Sequence, residues 1–529
     1  MSIQYDADVI VIGSGALGSN AAHELAKAGK SVIILEAGSR IPRWKVVENY
    51  RTSSRKGNYN DPYPNQPWAH TSYDPDYLEN TGSFDFRPGM LKLVGGTTWH
   101  WAAAAWRYLP NDMKLKSVYG LGRDWPIDYA TLEPWYQRAE EALGVSGSDV
   151  EDQSGQDGGK TFPPRSKPYP MKPDAVTYMN QRFAEALEPA GFHYIHEPNA
   201  RNTRPYDSRP ACAGNNNCMP VCPIGAMYSG DTHATHAERA GARLIPEATA
   251  YRLEKGAGNK IVAVHYRTPK GEDVRLTARY FIVAAHGLET AKLLLISEVA
   301  NSSDQVGRNL MDHSGSGLVF LAKEPVWPGR GQIQQGCFLN WRDGEFRKRH
   351  SAIKHSVGNA VPNADVTRRL LAMGVTGPEL DRRIRHDAAR WMSISTVYEV
   401  LPDPGNRVTP SSKKDALGIP GLSVHYNVDD YAAAGREVAY EDYRKMVAAF
   451  GEEVIEDRTG WQNRDHLMGT VIMGADPKDS VVNHECRSYD HDNLFLATTG
   501  VIPASGVINP TLTGVALSIR LADIIRREI

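Results

Sequence analysis

Cysteine is scarce here: five residues in a chain of 529, too few for a disulfide framework at this size. Long apolar runs are missing as well. None approaches the ~18 residues a membrane span needs, so the chain itself reads as soluble. Charge of one sign never accumulates, with 60 Lys plus Arg against 62 Asp plus Glu and a net charge of -2. That balance argues against nucleic acid as a partner and leaves small molecules or proteins. The N-terminus, Met1-Ser2-Ile3-Gln4-Tyr5-Asp6, has neither the basic start nor the apolar stretch of a signal peptide. Internal repeats and low-complexity segments are absent. The length suits two or three domains or one large interleaved fold.

What is present begins with a βαβ unit. The apolar run Asp8-Val9-Ile10-Val11-Ile12 passes into Gly13-Ser14-Gly15-Ala16-Leu17-Gly18, then a helical pattern, then Val32-Ile33-Ile34-Leu35 ending on Glu36. In such a unit Gly13 makes the tight turn, Gly15 lets backbone approach a pyrophosphate, Gly18 lets helix and sheet pack closely, and Glu36 can accept hydrogen bonds from a ribose. This reads as dinucleotide binding, with FAD and NAD both open. A second glycine turn, Gly95-Gly96-Thr97-Thr98-Trp99-His100-Trp101, could press its backbone against a flat ring.

Between and after these motifs the expected elements are a long lid loop over residues 41–90, a helix from Thr131 to Leu143 capped by Thr131, and a polar excursion from Ser148 to Pro173. A helix over Asp174 to Ala190 follows. Strands are expected over Ala242 to Leu253, Ile261 to Tyr266 and Val274 to Ala285. Farther on come strands over Ser393 to Val400 and Leu422 to Tyr426, and helices over Asp365 to Met373 and Asp429 to Phe450. Leu494 to Ala497 is a short buried strand and Pro510 to Arg526 a helix, with Asn509 placed as its N-cap before a proline. The resulting class is α/β plus α+β. Its division is 1–314 for a Rossmann-like nucleotide domain, 315–468 for a discontinuous sheet-and-helix substrate domain, and 469–529 for a return to the first domain.

Three of the cysteines, Cys212, Cys218 and Cys222, crowd into a segment of about 205–230 with spacing C-x5-C-x3-C followed by Pro223. Three thiolates without a fourth suit a three-iron cluster. The alternatives on spacing are a zinc site recruiting His233 or His236, or unligated core cysteines. Cys337 and Cys486 are isolated and read as small buried hydrophobes.

Taken together, Gly13-x-Gly15-x-x-Gly18 with Glu36, Gly95 through Trp101, Trp125-Pro126-Ile127-x-Tyr129, Val306 through His313 and Asn509-Pro510-Thr511-Leu512-Thr513 resemble the glucose–methanol–choline (GMC) flavin oxidoreductases over nearly the whole chain. Within that family the stretch Cys212 through Tyr228 resembles the catalytic subunits of bacterial membrane-associated FAD glucose and fructose dehydrogenases. The resemblance narrows the cofactor to FAD, contacted by Gly13, Gly15, Gly18, Glu36, Gly95, Gly96, Thr97, Thr98, His100, Trp101, Pro510 and Thr511. It implies that His100 bonds covalently to the flavin 8α position, the alternative being a histidine that packs on the ring. It also implies a 3Fe-4S cluster on Cys212, Cys218 and Cys222, and a His466/Asn509 catalytic pair.

Hydride transfer delivers two electrons at once, whereas clusters and haems take one at a time, so a flavin beside a cluster favours a dehydrogenase over an oxygen-using oxidase. The resemblance implies a sugar or polyol substrate, with fructose or glucose favoured. Sorbitol or a sugar acid such as gluconate or ketogluconate is the alternative, and Arg464 keeps the acidic substrate open. A non-catalytic flavin/iron–sulfur electron carrier is the reading from a different class. The implied partners are a small subunit bearing the export signal and a multihaem cytochrome c subunit. The implied location is the periplasmic face of the bacterial inner membrane, with membrane contact only through those partners. This chain departs from the family pattern at Ala213, Ser314 and Asp465.

Overall fold

The computed structural model describes residues 4–53, 60–71, 74, 76–156 and 161–529. The expected N-terminus, the lid over 41–90 and the excursion from Ser148 to Pro173 therefore include stretches (1–3, 54–59, 72–73, 75, 157–160) that lie outside the described residues.

Strand β1 (Ala7–Ile12), helix α1 (Ala16–Lys27) and strand β2 (Val32–Leu35) form the expected βαβ unit. β1 is apolar on both faces because it is covered on both. It runs parallel to β2 with Val9 opposite Val32, and parallel to the strand Asp273–Val283 on its other side. Among the described residues this sheet has seven strands. The strand Leu494–Leu496 joins it in parallel beside Asp273–Val283, so the end of the chain returns to the sheet in which it began. The final helix, Thr511–Glu528, packs on α1 and on the helix Tyr129–Leu143.

A second sheet of six strands is antiparallel, in the order Gly451–Gln462, Ser314–Ala322, Trp391–Tyr398, Ile353–Gly358, Gln334–Trp341, Tyr194–His196. The helix Asp430–Phe450 lies across it, setting Tyr443, Met446 and Phe450 against Phe320, Phe338 and Ile394. A small third sheet pairs Leu78–Asn80, from the expected lid, with Pro420–His425. Among the described residues no helix is long and apolar enough to cross a membrane.

Several expectations need correction. The cap of the helix Tyr129–Leu143 is Asp128, whose carboxylate accepts from the Thr131 backbone N–H, so the helix starts two residues earlier than Thr131 implied. The stretch read as a helix from Asp174 begins only at Tyr178, capped by Thr177. The lid is not all loop: it carries a helix over Arg43–Thr52 as well as the short strand. Cys337 and Cys486 are buried and isolated, and burial pushes the Cys486 thiol up to about 12.

Candidate active site

A cavity of ≈ 360 Å³ opens beyond the carboxyl end of β1, where open parallel sheets place their ligands. Its floor is the first glycine turn. Gly13 has φ +106°, and a Cβ there would lie 2.4 Å from the Ala284 carbonyl oxygen, while one on Gly18 would lie 2.1 Å from the Gly13 carbonyl. A Cβ on Gly15 would meet no protein atom within 4 Å, because that position faces the cavity. These are the contours of a dinucleotide cradle. Glu36, at the end of β2, is buried and accepts from the Ser14 N–H (3.0 Å), the Ser14 hydroxyl (2.7 Å) and the Gly38 N–H (3.0 Å). Burial nonetheless holds its carboxyl above the usual range.

The second glycine turn is stapled to the first. Gly95 and Gly96 both take left-handed backbone angles, and the Gly95 N–H donates to the Ser14 carbonyl at 3.2 Å. Thr98 donates to the Gly95 carbonyl and accepts from the Gly230 N–H, both at 2.9 Å. Thr97 accepts from the Leu91 N–H, and Trp101 donates to the Tyr228 carbonyl. His100 lines the cavity, and burial lowers its pKa to about 4. Its Nε2 is buried without a hydrogen-bond partner among the described residues.

The cavity is also lined by Arg464, Asp465, His466 and Asn509, and His313 and Lys354 hydrogen-bond to the last two. His313 immediately precedes the strand Ser314–Ala322, Lys354 lies on Ile353–Gly358, and His466 follows Gly451–Gln462. The buried Asp312 carboxylate gathers three successive backbone N–H groups, those of Arg464 (3.0 Å), Asp465 (3.3 Å) and His466 (2.8 Å), and so fixes the loop. Asp465 takes φ +60° there, a conformation aspartate tolerates, and its Oδ1 accepts from the Gly89 N–H at 2.9 Å. Burial and the neighbouring Asp465 carboxyl push Asp312 up to about 7, against the three N–H groups that favour its ionised form.

His466 meets Asn509 with 2.7 Å between Nε2 and Nδ2, and His313 with 2.8 Å between the two Nδ1 atoms. Burial, then His313, Lys354 and Arg464, hold His466 far below the usual imidazole range, so it is neutral at neutral pH. Asn509 does not cap the last helix as expected. Its amide is committed to His466 and to Lys354 (2.7 Å from Nζ to Oδ1), and the backbone of Pro510 already has helical angles. Pro510 and Thr511 still line the cavity, so the positive end of that helix reaches the site.

The guanidinium of Arg464 points away from a ligand role. It donates to the carbonyls of Ser316, Thr396 and Asn463 and to the Gln462 amide oxygen, which occupies all three of its nitrogens. Asp312, His313 and Lys354 escaped the sequence reading as site residues. Only the first two left a trace, in the stretch Val306 through His313.

The cysteine segment reaches the same cavity through Met219. Cys218 and Cys222 are buried in the main core, Cys212 is half-buried against that core, and the Gly214 N–H donates to the Cys212 sulfur at 3.4 Å. Among the described residues neither these thiols nor any other set of three His, Cys, Asp or Glu side chains converges to hold a metal ion. The zinc alternative is not met, because His236 faces Asp207 at 2.9 Å and His233 faces the Tyr228 hydroxyl at 3.1 Å. Within the segment Asn216 turns its amide to the carbonyls of Gly331 and Asn359.

A glycine cradle, a second glycine turn lining the same cavity and a neutral histidine beside an asparagine are the features of a dinucleotide-dependent oxidoreductase. The chain belongs to the GMC oxidoreductase family, which it matches over residues 7–315 and 402–518, and its cofactor is FAD. It is 44% identical to the fructose dehydrogenase large subunit of Gluconobacter japonicus, covering 99% of this chain and 98% of that one. It is 28% identical to 2-methyl-1,2-propanediol dehydrogenase of Mycolicibacterium austroafricanum, covering 98% and 95%. The fold is also that of pyridoxine 4-oxidase from Mesorbium loti, with a TM-score of 0.65, 18% identity and coverage of 98% and 99%.

Proposed function

We propose that the chain is a dehydrogenase of a neutral sugar or polyol, fructose and glucose first among them, with His466 as the base and Asn509 orienting the substrate oxygen. The observation that carries this is the pairing of His466 Nε2 with Asn509 Nδ2 at 2.7 Å on the cavity wall. FAD, when bound, accepts the hydride from the alcohol carbon. The hydroxyl proton must leave in the same event, and a neutral imidazole within hydrogen-bond reach is the group suited to take it near pH 7. Gly13, Gly15 and Gly18 would hold the pyrophosphate, Glu36 the ribose, and Gly95 through Trp101 the ring. The tied guanidinium of Arg464 weighs against a sugar acid, since it has no nitrogen left for a substrate carboxylate. The likeness to a fructose dehydrogenase large subunit supports a sugar as substrate.

The same likeness supports a larger assembly. In this reading Cys212, Cys218 and Cys222 would hold a 3Fe-4S cluster, which would take electrons from the flavin one at a time. A multihaem cytochrome c subunit receives the electrons, a small subunit carries the export signal, and the complex works at the periplasmic face of the inner membrane.

The test is anaerobic mixing of the holoenzyme with fructose, glucose, sorbitol and gluconate while flavin absorbance is followed. A neutral sugar or polyol should bleach the flavin and gluconate should not. In His466→Ala the bleaching should slow by about 10²–10⁴-fold at unchanged FAD content, with Asn509→Ala losing less. Bleaching by none of the four would favour an electron carrier, and a parental rate in His466→Ala would move the base to Asp465.

A further inference from the structure

We infer that His313 and Lys354 are positioning residues that fix, from opposite ends of one hydrogen-bond chain, which nitrogen of His466 is bare. The inference rests on the reading of His466 as the base.

At one end His313 Nε2 lies 2.8 Å from the Gly506 carbonyl oxygen and 3.2 Å from that of Ser505. Carbonyls only accept, so the His313 proton must be on Nε2. Burial keeps His313 neutral, with its pKa lowered to about 4, so its Nδ1 is a lone pair. That lone pair faces His466 Nδ1 at 2.8 Å, and the shared hydrogen must belong to His466. His466 Nε2 is therefore unprotonated.

The other end gives the same answer independently. Lys354 is buried at 1% exposure and has only donors, which it directs to Glu197 (3.3 Å) and to Asn509 Oδ1 (2.7 Å). This fixes the Asn509 amide with its oxygen toward Lys354 and its NH2 toward His466 Nε2 at 2.7 Å. An NH2 group only donates, so Nε2 must accept. Both ends leave the lone pair on Nε2, between two residues that line the cavity, and the Asn509 N–H that occupies it can pass to a substrate oxygen on arrival. The proton taken from the hydroxyl then rests on Nε2, while Nδ1–H stays bonded to His313. Catalytic triads show that an imidazole in the wrong tautomer can lose up to ~10⁴-fold in rate.

The experiment has two arms on FAD-loaded protein. In ¹⁵N-histidine-labelled enzyme, with the His466 signals identified by their loss in His466→Ala, Nδ1 should be protonated and Nε2 bare at pH 7. A proton on Nε2 overturns the inference. In the kinetic arm His313→Gln, whose amide can still accept from His466 and donate to the carbonyls, should reduce its flavin within about tenfold of the parent. His313→Leu should be slower by about 10²-fold or more at equal FAD content. Equal losses in the two variants would mean packing alone, and a parental rate in His313→Leu would also overturn the inference. Failure of the base assignment would appear in His466→Ala and leave the measured tautomer untouched.

Discussion

Among the described residues His100 Nε2 is buried without a hydrogen-bond partner, and His100 lines the cavity. A buried imidazole nitrogen left unsatisfied is costly, and a bond to the flavin ring would remove the cost. Flavin should therefore stay with the acid-precipitated parent protein and move to the supernatant in His100→Ala. Flavin wholly in the parent's supernatant rules out the bond. Two glycines in the first turn make a paired test of packing against ligand contact. Ala at Gly18 would drive a Cβ to 2.1 Å from backbone, whereas Ala at Gly15 enters open cavity. Gly18→Ala should fail to fold or yield aggregates. Gly15→Ala should fold with an unchanged apo melting temperature and lose FAD on gel filtration, and retention of FAD at the parental level would count against a pyrophosphate at that position.

At the scale of elements, the helix Tyr129–Leu143 is held by a buried charge cluster. Arg107 grips both oxygens of the buried Glu140 carboxylate at 2.8 and 2.9 Å, and Arg165 takes the same carboxylate at 3.0 and 2.5 Å. Removing it leaves the buried Arg165 without its carboxylate and Arg107 with only Glu133, so Glu140→Ala should cost about 3–5 kcal/mol in denaturant unfolding. A loss under about 1 kcal/mol would mean that the cluster is solvated. Neither arginine was legible as Glu140's partner in the sequence, since pairing across tens of residues has no local signature. The βαβ unit was legible because its strands are covered on both faces and read as unbroken apolar runs. The helix Gly377–Arg390 was missed for the opposite reason: Asp387 is its only buried residue, and its exposed face is laced by pairs such as Arg382 with Glu379 and Arg385 with Asp381. The strand Ser314–Ala322 opens Ser-Gly-Ser-Gly, which resembles a turn until the neighbouring strands bury it. The site shows the same limit. His466 and Asn509 could be named from motifs, but the roles of His313 and Lys354 depend on hydrogen-bond direction, which exists only once three strands and a loop have met.

Over the whole molecule, buried imidazoles that folding keeps neutral weaken the fold as pH falls, and His233 is one whose contribution can be isolated by substitution. It lies on the helix Asp231–Arg239 against α1, with the rings of His23 and His236 5.4 and 5.3 Å away and the Tyr228 hydroxyl on Nδ1. Burial, then His23, His236 and Arg209, holds its pKa well below the ordinary value. A depressed folded pKa means that the unfolded chain binds the proton first. The stability His233 contributes is thus present above about pH 6.5, the unfolded value, and is lost as pH falls toward the folded one. Buried carboxyls whose pKa is raised, such as Asp312 and Glu36, act in the opposite direction, so the slope for the whole protein mixes signs. The difference between parent and His233→Gln removes that mixture. Between pH 6 and 5 the unfolding free energy of the parent should fall more steeply than that of the variant, by up to ~1.4 kcal/mol per pH unit, which is the uptake of one proton. Parallel slopes would mean that His233 gains its proton in the folded state, and that the three-histidine contact between α1 and its neighbour opens at mild acidity.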